Sequence, residues 1–288
     1  MRQLKIRAFA KVNLDLRVLQ RRDDGFHEIR TLLQTLSLHD TLSFMPTRAP
    51  FELHASGEPI PLDSGNIVWK AATAVWNTMG CIGEPHGMSV QIVKRIPVQA
   101  GLGGGSSDAA ATLIALNRLW DAKLSSRALF GLASSLGSDV PFFLLGGTAL
   151  GVGRGEVLYP LPDLPPWYVV LARPRAGVST RDAYGWLAAA NPRRGAGRHR
   201  LNVPWLPGAI EVSNDLEPVV CEHVPEVAGL RDALARQGAE IAMMSGSGSA
   251  VYGLFSREGA ARQAATHVRS TGADVWQTDF RAHQRPRR

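Results

Sequence analysis

Cysteine is scarce in this 288-residue chain, which contains only Cys81 and Cys221. Two cysteines cannot by themselves complete a four-ligand zinc site, and they do not supply the several pairs of a disulfide framework. No window approaches the run of about 18 apolar residues that a membrane span needs. The basic start MRQLKIRAFAKVNLDL also lacks the apolar core of a signal peptide. We therefore expect two reduced thiols, a cytoplasmic location and no membrane partner.

Lysine is scarce as well, with five lysines against 27 arginines, and the formal net charge is +7. Four of the arginines lie in residues 281–288, so the rest of the chain is only mildly positive. That balance suits an anionic small substrate. A non-catalytic, basic nucleic-acid-binding protein remains an alternative, but the basic runs are confined to a loop at 191–200 and the tail. We expect no nucleic-acid partner.

Strand-like and helix-like segments mix along the chain without an internal repeat, which predicts an α+β protein. Alternation of apolar and polar residues predicts strands over 4–18, 31–44, 88–96 and 167–174, with shorter ones at IAMM and AVYGLF. Helical spacing predicts helices over 66–79, 109–120, 126–136, 180–190, 225–238 and 257–272, with Asn66 as the cap of the first and either Ser125 or Ser126 opening the third. The run from Val140 is interpreted as buried strands. The proline-rich segment Tyr159–Pro166 predicts two domains, 1–160 and 161–288.

The segment PVQAGLGGGSSDAAA at 97–111 places four glycines and two serines within seven positions. Glycine loses more backbone freedom on folding than other residues, so such density indicates a close approach of the backbone to a ligand. Ser106, Ser107 and Asp108 are suitable N-caps for the predicted helix that follows. Because helix N-termini attract anions, we interpret the segment as a phosphate loop. A tight turn without a ligand is the alternative.

Neither common glycine motif fits this phosphate loop. A Walker A loop requires a lysine that is missing here, and the dinucleotide fingerprint fails because Ser106 and Asp108 occupy the places of its last glycine. The segment instead resembles the P-x-x-x-G-L-G-S-S-A-A loop of the GHMP small-molecule kinases. AKVNLDLRVLQRRDDGFHEI at 10–29 and MMSGSGSAVYGLF at 243–255 resemble the other motifs of that family, in family order.

The resemblance implies a two-domain GHMP kinase fold with the active site in the cleft between domains, and ATP and Mg²⁺ as cofactors. No metal ligand is assigned from the sequence. The segment SGSGS at 245–249 is given a supporting role beside the ligand, with a plain β-turn as the alternative. The residues that the resemblance assigns to binding ATP are Pro97, Val98, Gln99, Ala100, Gly101, Leu102, Gly103, Gly104, Gly105, Ser106 and Ser107.

Two catalytic residues follow from the resemblance rather than from spacing. By spacing alone, Asp139 is typical of a turn residue after a helix. Alternation puts Lys11, Asn13 and Asp15 on one strand face, where solvation is the commoner fate. The resemblance places Asp139 on the catalytic aspartate of the family and Lys11 on the lysine that contacts it. In those roles Asp139 would receive or orient the hydroxyl proton, and Lys11 would stabilise negative charge.

Narrower marks indicate a branch of the family whose small-molecule substrate is 4-diphosphocytidyl-2-C-methyl-D-erythritol, phosphorylated on its 2-hydroxyl in non-mevalonate isoprenoid synthesis. They are the K-x-N-L-x-L start, the D-G-F-H-E segment, GSDVPFF at 137–143 and NDLEPVV at 214–220. Another GHMP kinase, acting on homoserine, mevalonate or a sugar, is the alternative. The chain is expected to be a monomer or a homodimer.

Four residues are assigned to binding this substrate: Asn13, Phe26, His27 and Tyr184. Phe26 stands where the family often has tyrosine; it keeps the stacking face for cytosine and lacks the hydroxyl. His27 is expected to bond the polar edge of the base, and Tyr184 to cover its second face unless it is an ordinary helix aromatic. Asp24 and Gly25 are expected to shape the turn.

Overall fold

The computed structural model describes residues 3–190 and 212–283. The basic loop predicted at 191–200 and residues 284–288 of the basic tail lie outside this part of the chain. The chain divides into two compact units. Unit 1 comprises residues 1–11, 37–98 and 103–146, and unit 2 comprises 12–36, 99–102 and 147–288.

Unit 1 is a small sheet packed with helices. Its elements are the start of β1 (Leu4–Arg21), the end of β2 (His27–Pro50), β3 (Glu52–Gly57), α1 (Ile67–Thr78), β4 (His86–Lys94), α2 (Gly104–Leu119), α3 (Ser126–Leu136) and α4 (Val140–Leu145). The strand order is β3-β4-β2, with β3 parallel and β2 antiparallel to β4. A core that includes Phe44, Ile92 and Leu113 joins the sheet to α1 and α2.

Unit 2 contains the remaining parts of β1 and β2 and two groups of paired strands. Its further elements are β5 (Thr148–Gly153), β6 (Val157–Leu161), β7 (Tyr168–Arg173), α5 (Thr180–Ala190), α6 (Glu217–His223), α7 (Pro225–Arg236), β8 (Ile241–Met244), β9 (Val251–Phe255), α8 (Glu258–Arg269) and β10 (Asp274–Asp279). The start of β2 pairs with β5, and β5 with β6. A four-stranded antiparallel sheet has the order β10-β7-β9-β8.

The alternating and helical patterns are confirmed as elements, and two predicted helix caps are confirmed in detail. The Asn66 side chain accepts a hydrogen bond from the Val68 amide at 2.9 Å, and Ser125 accepts one from Ala128 at 3.2 Å. These bonds satisfy amides that have no intrahelical acceptor.

The predicted start of α2 is wrong. The helix begins at Gly104, and its N-cap is Gly103 rather than one of Ser106, Ser107 and Asp108. The glycines are therefore part of the first turn, because the low intrinsic helix propensity of glycine is overridden by packing.

The strand predicted from Val140 is also partly wrong. Residues Val140–Leu145 form the short helix α4, and only Thr148–Gly153 form a strand. Pro141 lies in the first turn of α4, where its fixed φ favours a helix and its missing N–H costs nothing. Gly146 then caps the helix.

The two units do not follow a single cut in the chain. Both β1 and β2 contribute residues to each unit, and the last passage from one unit to the other lies between residues 146 and 147. The division into domains 1–160 and 161–288 stays a prediction. Over the described ranges 3–190 and 212–283, the helices are too short or too polar to cross a membrane.

The cap of α1 gives a first prediction. Asn66→Ala removes the bond to the Val68 amide and the bond from Asn66 Nδ2 to the Pro61 carbonyl oxygen. We expect the free energy of unfolding to fall by about 1 kcal/mol, measured by urea titration. Asn66→Asp, which keeps the accepting oxygen, is the control; equal losses in the two variants would contradict this account of the cap.

Candidate active site

The N-terminus of α2 is the centre of the candidate site in unit 1. Gly103 adopts the left-handed conformation with φ 69°, and no side chain caps the helix. The first amide of this segment that bonds within the helix is that of Ser107, which donates to the Gly103 carbonyl at 2.9 Å. The amides of Gly104, Gly105 and Ser106 thus have no acceptor within the helix, which is the arrangement that binds phosphate oxygens.

The backbone at Gly103 passes so close to two side chains that there is no room for a Cβ atom. A Cβ atom at Gly103 would lie 2.6 Å from Cζ of Phe143 and 3.1 Å from Cγ of Lys11. Both distances are shorter than ordinary contacts, so the tight passage of the backbone depends on glycine here. The start of α2 therefore lies directly against the Lys11 side chain.

Lys11 and Asp139 meet beside this helix terminus, within unit 1. The Lys11 ammonium lies 3.4 Å from Oδ2 of Asp139. The Lys11 side chain is 4% exposed, whereas that of Asp139 is 39% exposed. Asp139 is the N-cap residue of α4, but its carboxylate makes no cap hydrogen bond. Asp139 lies in a turn after α3, as its spacing predicts, and its carboxylate is partly exposed to solvent beside a buried cation.

Gly101, in unit 2, approaches the backbone of the segment 245–249. The Ser245 hydroxyl donates to the Gly101 carbonyl at 2.9 Å, and the Gly248 amide donates to the Ser245 carbonyl at 3.0 Å. The Ser245 carbonyl oxygen would clash with a Cβ atom at Gly101, and the φ of Gly101 is 71°. The SGSGS turn thus packs against the backbone at Gly101, where glycine is required.

Phe26 lies at the tip of a well-defined turn in unit 2. The Asp24 carboxylate accepts from the Phe26 amide at 3.1 Å, and the Arg22 amide donates to the Phe26 carbonyl at 2.8 Å. Asp24 and Gly25 shape this turn as predicted, with Gly25 at φ 84°. The Phe26 ring is 52% exposed, and the Arg154 guanidinium lies over it, 4.9 Å from its centroid.

His27 and Tyr184 stack on one another in unit 2. Their ring centroids are 5.1 Å apart with an interplanar angle of 24°. Burial, followed by the nearby charge of Arg21, lowers the pKa of His27 below its usual 6.5. The imidazole is therefore neutral at pH 7, with one ring nitrogen able to donate and the other able to accept. This contact also closes the space between the two rings to a base.

Asn13 lies in the interior of unit 2. Its Nδ2 donates to Thr31 Oγ1 at 2.7 Å, and its carbonyl accepts from the Tyr252 hydroxyl at 3.2 Å. These bonds hold β1 against its neighbours. The assignment of Asn13 to substrate binding stays a prediction.

Sequence reasoning missed a buried ionic cluster at the start of α2 in unit 1. The Lys94 ammonium bonds the carboxylates of both Asp40 and Asp108. The sequence did contain one signal of this cluster. Lys94 is a charged residue in an alternating strand, close before the phosphate loop. Among residues 3–190 and 212–283, no group of three or more His, Cys, Asp or Glu residues is arranged to hold a metal ion.

Two family profiles match the chain. The GHMP kinases N terminal domain matches residues 66–147, and the GHMP kinases C terminal domain matches residues 200–274. A protein of Solibacter usitatus (strain Ellin6076) named 4-diphosphocytidyl-2-C-methyl-D-erythritol kinase is 46% identical over 269 residues, covering 88% of this chain and 82% of the relative. The chain belongs to the 4-diphosphocytidyl-2-C-methyl-D-erythritol kinase family of GHMP kinases.

Other comparisons agree with membership of this kinase family. A protein of the same name from Moorella thermoacetica (strain ATCC 39073 / JCM 9320) is 40% identical, covering 93% of this chain and 95% of the relative. A crystal structure of 4-(cytidine 5'-diphospho)-2C-methyl-D-erythritol kinase matches with a TM-score of 0.81 and 37% identity, over 96% of this chain and 99% of that one. Homoserine kinase from Cytophaga hutchinsonii ATCC 33406 shares the fold, with a TM-score of 0.68 at 18% identity over 98% and 96%.

The contact of Gly101 gives a second prediction. Gly101→Ala adds a Cβ against the Ser245 carbonyl and strains a left-handed residue, so we expect a loss of about 1–3 kcal/mol or more in the free energy of unfolding. Gly105→Ala is the matched control, because its Cβ would lie 3.6 Å from its nearest neighbour, Ile67 Cγ2. Alanine there should stabilise α2 by up to about 1 kcal/mol. The stability of both variants is measured by thermal unfolding. Equal melting temperatures for Gly101→Ala and Gly105→Ala would contradict the stated need for glycine at 101.

Proposed function

We propose that this member of the family transfers a phosphoryl group from ATP to the 2-hydroxyl of 4-diphosphocytidyl-2-C-methyl-D-erythritol. The observation that carries the proposal is the pair Lys11–Asp139, 3.4 Å apart, directly beside the uncapped start of α2. A hydroxyl bound at Asp139 would lie next to the place where the phosphate chain is held. Phosphoryl transfer needs little more from a protein than this positioning and charge stabilisation.

The proposed ATP site is the loop from Pro97 to Ser107. ATP supplies the phosphoryl group, and Mg²⁺ neutralises charge on the phosphate oxygens. The amides of Gly104, Gly105 and Ser106 have no acceptor within α2 and fit phosphate oxygens. Mg²⁺ usually keeps phosphate and water ligands in kinase sites, and it would be held here mainly by the phosphate oxygens.

The roles of Lys11 and Asp139 follow from their different surroundings. Asp139 is partly exposed and can accept the proton of the attacking hydroxyl as its oxygen bonds the γ-phosphorus of ATP and the bond from that phosphorus to ADP breaks. Lys11 is buried, so its charge acts at close range with little screening by solvent. It stabilises the negative charge that grows on the hydroxyl oxygen.

The proposed cytidine site is the turn at Phe26 and His27. Half of the Phe26 surface is exposed, and one face of its ring is occupied by the Arg154 guanidinium. We assign the other face to cytosine. The neutral His27 imidazole can donate to or accept from the edge of the base. Tyr184 stacks on His27 and fixes the position of the imidazole. This role differs from the expected one, in which Tyr184 stacks on the second face of cytosine.

Further parts of the proposal concern the organisation of the enzyme. They are a division into domains 1–160 and 161–288, a monomer or homodimer, a cytoplasmic location and no nucleic-acid partner. The alternative substrates of the wider GHMP kinases, homoserine, mevalonate and sugars, carry no base for Phe26 to stack on.

The catalytic pair gives a third prediction. Asp139→Ala removes the proton acceptor, so kcat with the cytidylyl substrate should fall about 100-fold or more, while ATP binding is retained. Lys11→Met should cause a loss of similar size through the lost charge stabilisation. ADP release in the presence of ATP and Mg²⁺ measures both. Asp121→Asn is the matched control, since the Asp121 side chain is 80% exposed and lies in another part of unit 1.

The same assay decides the substrate. ADP release by the wild type with the cytidylyl substrate, and not with homoserine, mevalonate or galactose, is expected. If ADP is released only with one of the other three alcohols, the assignment as a kinase stands and the proposed substrate is rejected. Full activity of Asp139→Ala would reject the assignment of the proton acceptor.

The cytidine site gives a fourth prediction. Phe26→Ala should raise KM for the cytidylyl substrate about tenfold or more, because stacking of a base on an aromatic ring contributes about 1–3 kcal/mol. Phe26→Tyr keeps the ring and should remain within about twofold of the wild type. KM for ATP should not change in either variant. Steady-state kinetics with each substrate varied in turn are the measurement; equal effects of Phe26→Ala on both KM values would place Phe26 outside the cytidine site.

A further inference from the structure

The buried cluster of Lys94, Asp40 and Asp108 lies at the start of α2, in unit 1. The three side chains are at most 3% exposed. Asp108 Oδ2 accepts from the Lys94 ammonium at 2.7 Å, and Asp40 bonds the same ammonium. Asp40 Oδ1 also accepts from the amides of Arg95 and Ile96, at 2.6 and 2.9 Å. The cluster thereby ties β2, the end of β4 and the first turns of α2 to one another.

This cluster touches the proposed phosphate loop directly. A Cβ atom at Gly104 would lie 2.9 Å from the Lys94 ammonium and 2.9 Å from Cγ2 of Ile96. Gly104 is the first residue of α2, so the cluster lies immediately beneath the amides assigned to phosphate. Any charge that the cluster carries is therefore within a few ångströms of the place proposed for a highly charged anion.

The charges in the cluster do not balance when both carboxyls are ionised. One ammonium facing two carboxylates leaves one negative charge in a site without exposed surface. Asp108 Oδ1 is buried and accepts no hydrogen bond from any residue of the described chain. An unpaired anionic oxygen in such a place is costly, and a proton removes that cost.

The electrostatics of the cluster agree with that argument. Burial raises the pKa of the Asp108 carboxyl to about 8; the charge of Lys94 opposes this rise, and the charge of Asp40 adds to it. Burial works to lower the pKa of Lys94, but its two acidic neighbours reverse the effect, and the net change is upward. The lysine stays charged while one carboxyl is protonated.

We propose that Lys94, Asp40 and Asp108 are positioning residues for ATP, and that they act as an electrically neutral unit in which Asp108 carries a proton. The proposal rests on the proposed ATP site at the start of α2. With the proton in place, the cluster fixes the first turn of α2 and adds no repulsion toward phosphate. When Asp108 loses the proton, one negative charge faces the phosphates and ATP binding weakens.

The sign of the pH effect follows from Asp108. The carboxyl is protonated below about pH 8 and ionises as the pH rises above that value. ATP affinity should therefore fall as the pH increases from 7.5 to 9.5, a range above the ordinary titration of histidine and below that of lysine. The other charged or titratable groups on the unit 1 parts of the surrounding elements are Lys5, Arg7 and Lys11 on β1, His39 and Arg48 on β2, Glu52 and His54 on β3, Lys70 on α1, His86 on β4, Arg118 on α2 and Arg127 on α3, together with Arg95 beside Lys94 and Asp139 before α4.

The test measures binding of the non-transferable analogue AMP-PNP with Mg²⁺ by calorimetry, between pH 7.5 and 9.5. For the wild type we expect the dissociation constant to rise about tenfold across this range. Asp108→Asn has nearly the same shape and no proton to lose, so its affinity should stay within about twofold of the wild type at pH 7.5 and should not change with pH. Asp121→Asn, a matched surface control, should follow the wild type.

A second measurement needs no variant. At pH 8.5 the wild type should take up a fraction of a proton when AMP-PNP binds, seen as a binding heat that depends on the ionisation enthalpy of the buffer. The uptake should be absent in Asp108→Asn, whose folding is checked by thermal unfolding. Absence of uptake by the wild type at this pH would overturn the proposal even if the variant did not fold.

The outcomes separate this proposal from the proposed function. An equal pH dependence in the wild type and Asp108→Asn would overturn the neutral cluster, as would a loss of affinity in Asp108→Asn at pH 7.5 of tenfold or more. Either result would leave turnover of the cytidylyl substrate, and with it the proposed function, untouched. Failure of the wild type to bind AMP-PNP at any pH would overturn both.

Discussion

The surroundings of the candidate site depend on the backbone of the first turn of α2, whose leading amides lack acceptors within the helix. No side chain caps this helix, and its N-cap residue Gly103 has a left-handed conformation. The amides of the three residues that follow have no acceptor within the helix. Unpaired amides are tolerated where solvent or an anion can reach them. Lys11, Phe143 and the buried Lys94 cluster all pack around this turn, so their geometry depends on the backbone keeping its unusually tight course.

The fold was largely predictable because its elements carry strong local signals. The alternation in β1, β4 and β7 and the N-caps Asn66 and Ser125 have direct counterparts in the structure. The start of α2 was not predictable from propensity, since two glycines in a first turn, after a glycine N-cap, contradict the intrinsic preferences of the residue. The helix at Val140–Leu145 was missed for a related reason, because six apolar residues have no periodicity that separates a buried helix from a strand.

The candidate site was predictable in part. The pairing of Lys11 with Asp139 came from a family resemblance, and the structure brings the two side chains together although they are 128 positions apart in the sequence. Spacing alone favoured solvent for one and a turn for the other. The partners of Lys94 were beyond sequence reasoning, because Asp40 and Asp108 belong to different elements and only the packing of α2 on the sheet joins them. Stacking of Tyr184 on His27 is likewise a product of tertiary contacts.

The long strands β1 and β2 limit how the gene for this chain can recombine. β1 and β2 each begin or end in one compact unit and continue into the other, so neither unit is encoded by one continuous stretch of the gene. A recombination event that exchanged the second half of the chain would combine residues 12–36 of one parent with the rest of unit 2 from another. Exchange of a whole unit would need several simultaneous crossovers.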